Sequence, residues 1–424
     1  MGILKMSWIR LSLFLVACTG IIAFIILFSM GMNIVPVEHP GPVDREVAEE
    51  DPEADIVNVP FSPPVQDFLA FMERELDNSH TVGAAYTVVQ GGEISFARTY
   101  GERIRESGEP VDAHTRFRLA SVSKGFSGAL ACMLDLEGML SLDDRVMDRY
   151  PGFALKDSVN TTEMTIRHLL SHTTGLVPYA FDNLVEAGED LHHIVSRLHE
   201  VDISAPPGEL YGYQNVTFSM LDPIARRATG TPYQLLLKEM IFKPVGMDDA
   251  TAGRINEQDY INVAYPHVRT KSGYASLGTH DGYYNVLPAA GVSASIADMG
   301  QWLLALLGHK PGVFSDTISS ILAEPLIYTP LKYRYTRYWK PFRERYYSLG
   351  WRIYYCQGRK IIYHGGYIRG YRAEIAFCPG EDVGIAFLQN SPNSLASKVV
   401  PRFFDLYLGY ADSLQVSLTT TKPK

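Results

Sequence analysis

The chain has 424 residues, of which 46% are hydrophobic and 20% charged, so a sizeable buried core is expected and global disorder is excluded. That length suits one large α/β domain or two modest ones. A formal net charge of −9 excludes a general nucleic-acid binder, which needs a basic field to reach phosphates. The four cysteines, Cys18, Cys132, Cys356 and Cys378, form no CxxC and no Cys/His spacing of a zinc site, so no metal is expected.

From Leu11 to Val35 the chain carries no charge and is rich in Leu, Ile and Phe. At ~1.5 Å per helical residue that run is long enough for a ~30 Å hydrocarbon core. Lys5 and Arg10 precede it, and acidic residues from Glu38 to Glu53 follow it. The charge asymmetry predicts a single-pass signal anchor over residues 1–35, with a cytoplasmic N-terminus and the rest exported to a periplasmic or extracellular side. Leu15-Val16-Ala17-Cys18 spells a lipobox, but Gly20 to Phe28 stays apolar where a processed lipoprotein turns polar. Residues 36–60, rich in Pro, Glu and Asp, read as an extended acidic linker.

The folded domain is expected over residues 61–410, with 411–424 a flexible tail. It opens on an amphipathic helix near Val65 to Leu76. A hairpin follows, Ala84 to Val89 and Ile94 to Ala97, turned at Gly91-Gly92. Helical periodicity then takes over at Gly125 to Leu140, Met164 to Leu170 and Phe218 to Arg227, and Cys132 reads as a core residue of the first of these. After a further helix at Ile296 to Leu307, strands are predicted at Trp351–Tyr355, Lys360–His364, Arg372–Phe377 and Val383–Leu388. Their turns are Gln357-Gly358 and Pro379-Gly380. Cys356 and Cys378 both flank these turns, where a disulfide is possible in an oxidising compartment but free thiols are favoured, since geometry rather than count decides. The fold class is therefore α/β of the α+β type. One antiparallel sheet is built from both chain ends and flanked by helices, and a mainly helical subdomain is inserted at about 121–284.

Three short motifs carry chemistry. Ser121-Val122-Ser123-Lys124 contains the one Ser-x-x-Lys of the chain. At the start of a helix, residues three apart share a face, so the Lys124 amine can reach the Ser121 hydroxyl. A desolvated lysine sheds its proton readily and can act as a base. Tyr213-Gln214-Asn215 offers a phenol and an amide in one loop; Tyr260/Asn262 and Tyr283/Asn285 have the same spelling, but the turn Pro206-Pro207-Gly208 before the first copy favours it. His364-Gly365-Gly366-Tyr367 ends an apolar strand, and its two glycines let a ligand approach the backbone.

Taken in this order, Ser-x-x-Lys, Tyr-x-Asn and a strand motif ending in glycine resemble the serine β-lactamase and penicillin-binding protein family, including class C β-lactamase, DD-peptidase, D-aminopeptidase and family VIII esterase-like members. Supporting segments are Phe117 to Lys124, Ile166 to Leu176, Pro288 to Ser295 and Leu349-Gly350-Trp351. The resemblance implies Ser121 as acylated nucleophile, Lys124 as its base and Tyr213 as proton shuttle. It implies Asn215 as a substrate-orienting group, and His364, Gly365, Gly366 and Tyr367 as the strand that binds substrate. The N–H groups of Ser121 and Tyr367 would hold the oxyanion. His172 reads as structural. Where β-lactamases carry Lys-Thr-Gly this chain has His364-Gly365-Gly366, and histidine is largely neutral near pH 7.

The expected function is thus a cofactor-independent serine hydrolase that cleaves an amide or ester through an acyl-enzyme. Its substrates are expected to be cell-envelope or small peptide and acyl compounds. A β-lactamase and a non-catalytic penicillin-binding sensor or filament-forming scaffold are the alternatives. Lys332 to Lys340 alternates basic and aromatic residues, a pattern suited to a cell-wall polymer or anionic lipid.

Overall fold

The expected hairpin forms strands β1 (Gly83–Gln90) and β2 (Glu93–Gly101), and both turn glycines, Gly91 and Gly92, take positive φ. In the computed structural model, which describes residues 62–255, 261–278, 282–330, 338–339 and 342–420, these strands lie at one end of an eight-stranded sheet. A small sheet and a hairpin intervene in sequence. The small sheet joins β3 (Phe117–Arg118) and β4 (Thr251–Ala252) to either side of β7 (Val292–Ala294); the hairpin pairs β5 (His267–Thr270) with β6 (Gly273–Ser276). The large sheet continues with β8 (Ile327–Tyr328), β9 (Phe342–Tyr347), β10 (Arg352–Cys356), β11 (Arg359–Ile368), β12 (Tyr371–Cys378) and β13 (Val383–Gln389). Its order is β2-β1-β13-β12-β11-β10-β9-β8, antiparallel throughout. The first strands therefore pair with the last, as expected of a sheet completed by both chain ends.

Strand alternation divides the hydrophobic residues between two layers. Ala84, Tyr86 and Val88 of β1 and Ile385 and Phe387 of β13 face one core with α1 (Pro63–Asn78). Ala85, Val89, Ala386 and Leu388 face the other, larger core with the inserted helices. The first layer is completed by a helix that the sequence did not disclose, running from Ala396 to Thr420 through Pro401. Its Phe403 packs edge-on against Phe68 of α1. Residues 411–420, read as tail, continue that helix. Strands β8 and β9 were likewise unforeseen.

The helix α2 (Ser123–Leu136) runs through the larger core, fully buried from Ser123 to Leu130. A methyl on its Gly125 would lie 2.4 Å from the Trp351 ring, and one on Gly128 would lie 2.1 Å from the Leu349 carbonyl. The two glycines share a face, so Leu349-Gly350-Trp351 seats directly on the helix.

The cysteines are free and buried at 132, 356 and 378. Cys356 ends β10 and Cys378 ends β12, and β11 runs between them. Two strand spacings amount to about 9.5 Å, beyond disulfide reach.

Among the described residues no helix is long and apolar enough to cross a membrane. The expected anchor at 1–35 and linker at 36–60 lie outside the described residues. So does most of Lys332 to Lys340; its Trp339 is buried against Tyr354 and Tyr363.

Candidate active site

Ser121 sits in a tight 3-10 turn, Ala120–Val122, that leads into α2, which begins at Ser123, two residues before the expected Gly125. The turn is anchored on both sides. Leu119 donates its N–H to the Val292 carbonyl at 2.9 Å, and the Ser123 hydroxyl accepts the Val292 N–H at 3.0 Å. Ala120 takes a φ of 47°, a left-handed conformation that costs a non-glycine residue roughly 1–2 kcal/mol. The strain falls on the residue immediately before the hydroxyl.

Lys124 follows one turn later and has no exposed surface. Its amine donates to Asn215 Oδ1 at 2.8 Å and to the Ala289 carbonyl at 3.0 Å. Burial pushes this amine well below the ordinary lysine value; the nearby Asp182 carboxylate opposes that shift and Arg352 adds to it. A neutral amine has two N–H groups and one lone pair. With both donors engaged, the lone pair is left to accept a proton. The segment Pro288 to Ser295 thus supplies backbone: Ala289 tethers the lysine and Val292 tethers the nucleophile turn.

Tyr213 precedes the short helix α3 (Asn215–Ser219). Its hydroxyl donates to Ser121 Oγ at 2.9 Å. The Lys124 amine lies 4.7 Å from the same ring's centre. Burial raises the phenol above its ordinary value, so Tyr213 holds its proton at neutral pH. Asn215 engages both ends of its amide: Oδ1 receives Lys124, and Nδ2 donates to Asp182 Oδ2 at 2.9 Å. The Asp182 carboxyl is raised to about 6, chiefly by burial. Sequence reasoning did not single out Asp182, which belongs to no motif.

His364 departs from the expectation of a substrate-touching group. It has no exposed surface and does not line the cavity. Its Nδ1 lies 3.1 Å from the Gly365 carbonyl, which can only accept, so Nδ1 carries the proton and Nε2 accepts the Tyr347 hydroxyl at 3.1 Å. Burial holds the imidazole well below its usual pKa, and the charges of Arg352 and Lys124 push the same way. Gly366 makes the close approach instead: a methyl there would lie 2.1 Å from the Leu119 carbonyl and 3.1 Å from the Ser121 nitrogen. Gly365 serves a second need, since its methyl would meet the Tyr363 hydroxyl at 2.6 Å and the Glu374 carboxylate at 2.7 Å. Tyr367 lines the cavity with its side chain largely exposed.

His172 lies beneath Tyr213, ring centres 4.3 Å apart, and accepts the Gln214 N–H at 3.2 Å. Buried and held neutral, it supports the Tyr213 ring from below. The cavity itself, about 380 Å³, is lined by Ser121, Tyr213, Asn215, Gly365 and Tyr367, and also by Asp182, Tyr211, Arg345, Arg352 and Arg372. The last five went unnoticed in sequence. Arg352 stands one residue past Leu349-Gly350-Trp351, the nearest signal that pointed to it.

A hydroxyl, a buried amine inclined to lose its proton, a protonated phenol and a close-passing strand are together a set suited to acyl transfer. The family model described as Beta-lactamase matches residues 68–407. The chain belongs to that family. A hydrolase of unguisins from Aspergillus campestris is 27% identical over 78% of this chain and 62% of its own length. The Beta-lactamase-like protein 2 of Dictyostelium discoideum is 26% identical over 71% of this chain and 54% of its own. The protein flp of Staphylococcus aureus is 22% identical over 78% and 64%. The chain thus spans between about half and two thirds of these curated relatives. Among solved structures, the octameric penicillin-binding protein homologue from Pyrococcus abyssi superposes with a TM-score of 0.69 at 22% identity, covering 82% of this chain and 77% of that one. That likeness speaks to the mixed α/β fold. Membership of the family is consistent with serine hydrolase activity.

Proposed function

We propose that the chain is a serine hydrolase that cleaves an ester or amide through an acyl-enzyme on Ser121, peptidase- or esterase-like on small acyl or cell-envelope substrates. The observation that carries this reading is the Tyr213 hydroxyl donating to Ser121 Oγ at 2.9 Å beside a fully buried Lys124, whose amine burial pushes well below the ordinary lysine value. In the proposed reaction Ser121 Oγ bonds to the substrate carbonyl carbon as its proton passes to the Lys124 amine. The carbonyl electrons move to oxygen, held by the N–H groups of Ser121 and Tyr367. Collapse breaks the bond to the leaving alcohol or amine, which takes a proton from Tyr213; the phenol is restored from Lys124. Water then attacks the acyl carbon, gives a proton back through the same pair, and releases the acid and free Ser121.

The neutral, buried His364 supports the choice of peptidase- or esterase-like chemistry over a β-lactamase, because the strand offers no fixed lysine charge to a β-lactam carboxylate. The apolar, uncharged run from Leu11 to Val35 supports a membrane anchor with the hydrolase domain exported. The test is turnover by the full-length chain of a short-chain aryl ester, a D-alanyl dipeptide and a chromogenic cephalosporin. Hydrolysis of the first or second, lost in Ser121→Ala, is expected. Hydrolysis of the cephalosporin alone would make the protein a β-lactamase, and absence of all three would favour a scaffold.

A further inference from the structure

Among the described residues that line the cavity with Ser121, Asp182 is the one carboxylate, and it belongs to none of the three motifs. It opens the short helix Asp182–Glu186, at the end of a loop held in an unfavourable shape. Tyr179 and Phe181 both take a φ of 61°, the left-handed region that bulky side chains avoid. Two hydrogen bonds clip that loop to the residues just before Asn215. Tyr179 donates its N–H to the Tyr213 carbonyl at 2.8 Å, and Gln214 Nε2 donates to the Val177 carbonyl. Strain and clips together aim Asp182 at Asn215, whose Nδ2 donates to Oδ2 at 2.9 Å. The other carboxylate oxygen, Oδ1, has no hydrogen-bond partner among the described residues.

An asparagine amide can face its surroundings either way round, and its neighbours decide which end goes where. Lys124 and Asp182 stand at opposite ends of the Asn215 amide. With its carboxyl raised only to about 6, Asp182 is largely ionised at neutral pH and can only accept. It therefore takes the N–H end, and the amide oxygen is left facing Lys124. Turned round, the amide would set its oxygen against the carboxylate, acceptor against acceptor, and would point an N–H at the amine. That N–H would occupy the lone pair with which an unprotonated Lys124 takes the Ser121 proton.

We infer that Asp182 is a positioning residue for the proposed acyl transfer: it locks the Asn215 amide with its oxygen toward Lys124, and so keeps the lysine lone pair open to Ser121. The inference rests on the acyl-transfer reading for the role of the lysine, and it adds a carboxylate that works without touching the substrate. Under the competing explanations Asp182 contacts the substrate or merely holds its own loop, and neither effect passes through Asn215.

The experiment is a double-mutant cycle in the full-length protein, with kcat and KM for an aryl ester followed across pH. Asp182→Leu removes the acceptor. It is expected to lower the alkaline plateau of kcat by about 10–100-fold, the range for one hydrogen bond to a charged group, with KM changed by less than about threefold. Asp182→Asn keeps an oxygen that can accept, and is expected to recover much of the plateau while its midpoint moves to lower pH as the charge is lost. In an Asn215→Ala background, Asp182→Leu is expected to change the plateau by less than about twofold. Melting curves report the folding of each variant. An undiminished plateau in Asp182→Leu, the same loss with and without Asn215, or a change confined to KM overturns the inference. The Nδ2 proton resonances of Asn215, assigned in isotope-labelled protein by their absence from Asn215→Ala, report the lock without turnover. They are expected to shift, and to exchange faster with solvent, in Asp182→Leu; resonances that stay unchanged overturn the inference. The expected shift without ester hydrolysis by the parent keeps the lock and removes the acyl-transfer proposal. Hydrolysis by the parent with an undiminished plateau in Asp182→Leu does the reverse.

Discussion

Gly366→Ala isolates the contact between β11 and the nucleophile turn. The added methyl would stand 2.1 Å from the Leu119 carbonyl oxygen, where ordinary carbon–oxygen contact is about 3.3 Å, so roughly 1.2 Å must be found. The carbonyl cannot simply retreat. It receives the Val122 N–H at 3.2 Å, and Leu119 is itself tied to Val292, so the turn holding Ser121 must shift with it. Gly366 takes no positive φ, which leaves the contact as the whole effect. Displacement of a reacting group by about 1 Å costs on the order of 10²-fold in rate, and overpacking of this kind destabilises by about 1–3 kcal/mol. Gly365→Ala is the paired control, because its methyl meets only the ends of Tyr363 and Glu374. Steady-state hydrolysis of an aryl ester should fall about a hundredfold in Gly366→Ala and far less in Gly365→Ala, with melting temperature recorded for each. Full activity in Gly366→Ala, or equal losses in both variants, would refute the proposed placement of the strand.

Tyr213→Phe removes the hydroxyl that donates to Ser121 Oγ while keeping the ring over Lys124, and should lower kcat by about 10²–10⁴-fold; a loss below tenfold would remove Tyr213 from proton transfer. Activity should rise with pH as Lys124 loses its proton, and because the Asp182 carboxylate favours the charged amine, Asp182→Asn should move that rise to lower pH. A pH–rate profile that moves upward would contradict the assigned coupling. Cys132, whose thiol burial raises to about 12, and Cys378, raised to about 11, should resist alkylation until the protein unfolds. Melting should also be insensitive to reductant, and a reductant-dependent transition would point to a disulfide instead.

What could be read in the sequence was what local rules govern. The helix Ile296–Leu306 begins where Ser295 and Asp298 cap each other, and β10 and β11 are turned by Gln357-Gly358, both with positive φ. Choosing Tyr213 from three Tyr-x-Asn copies rested on a nearby turn. The structure directs Tyr283 to Glu186 and Asn262 to Asp112, leaving Tyr213 on the serine. The closing of the sheet by both chain ends was legible, but the long-range placement of individual side chains was not. His364 reads as a site residue at a strand end, yet the register turns it inward under Tyr347, and only pairing reveals which face it takes. Strand β9, Phe-Arg-Glu-Arg-Tyr-Tyr, lacks a clean apolar alternation, and Pro401 hid the C-terminal helix. Arg352 and Asp182 act through neighbours distant in sequence, so no local pattern could have marked them.

The most direct test of the acyl-enzyme is to quench the full-length protein during turnover of an aryl ester and map the acyl mass by peptide sequencing. The account expects the adduct on Ser121, absent in Ser121→Ala and longer-lived in Tyr213→Phe. An adduct on another residue, or a Ser121→Ala variant that hydrolyses the ester as fast as the parent, would contradict it.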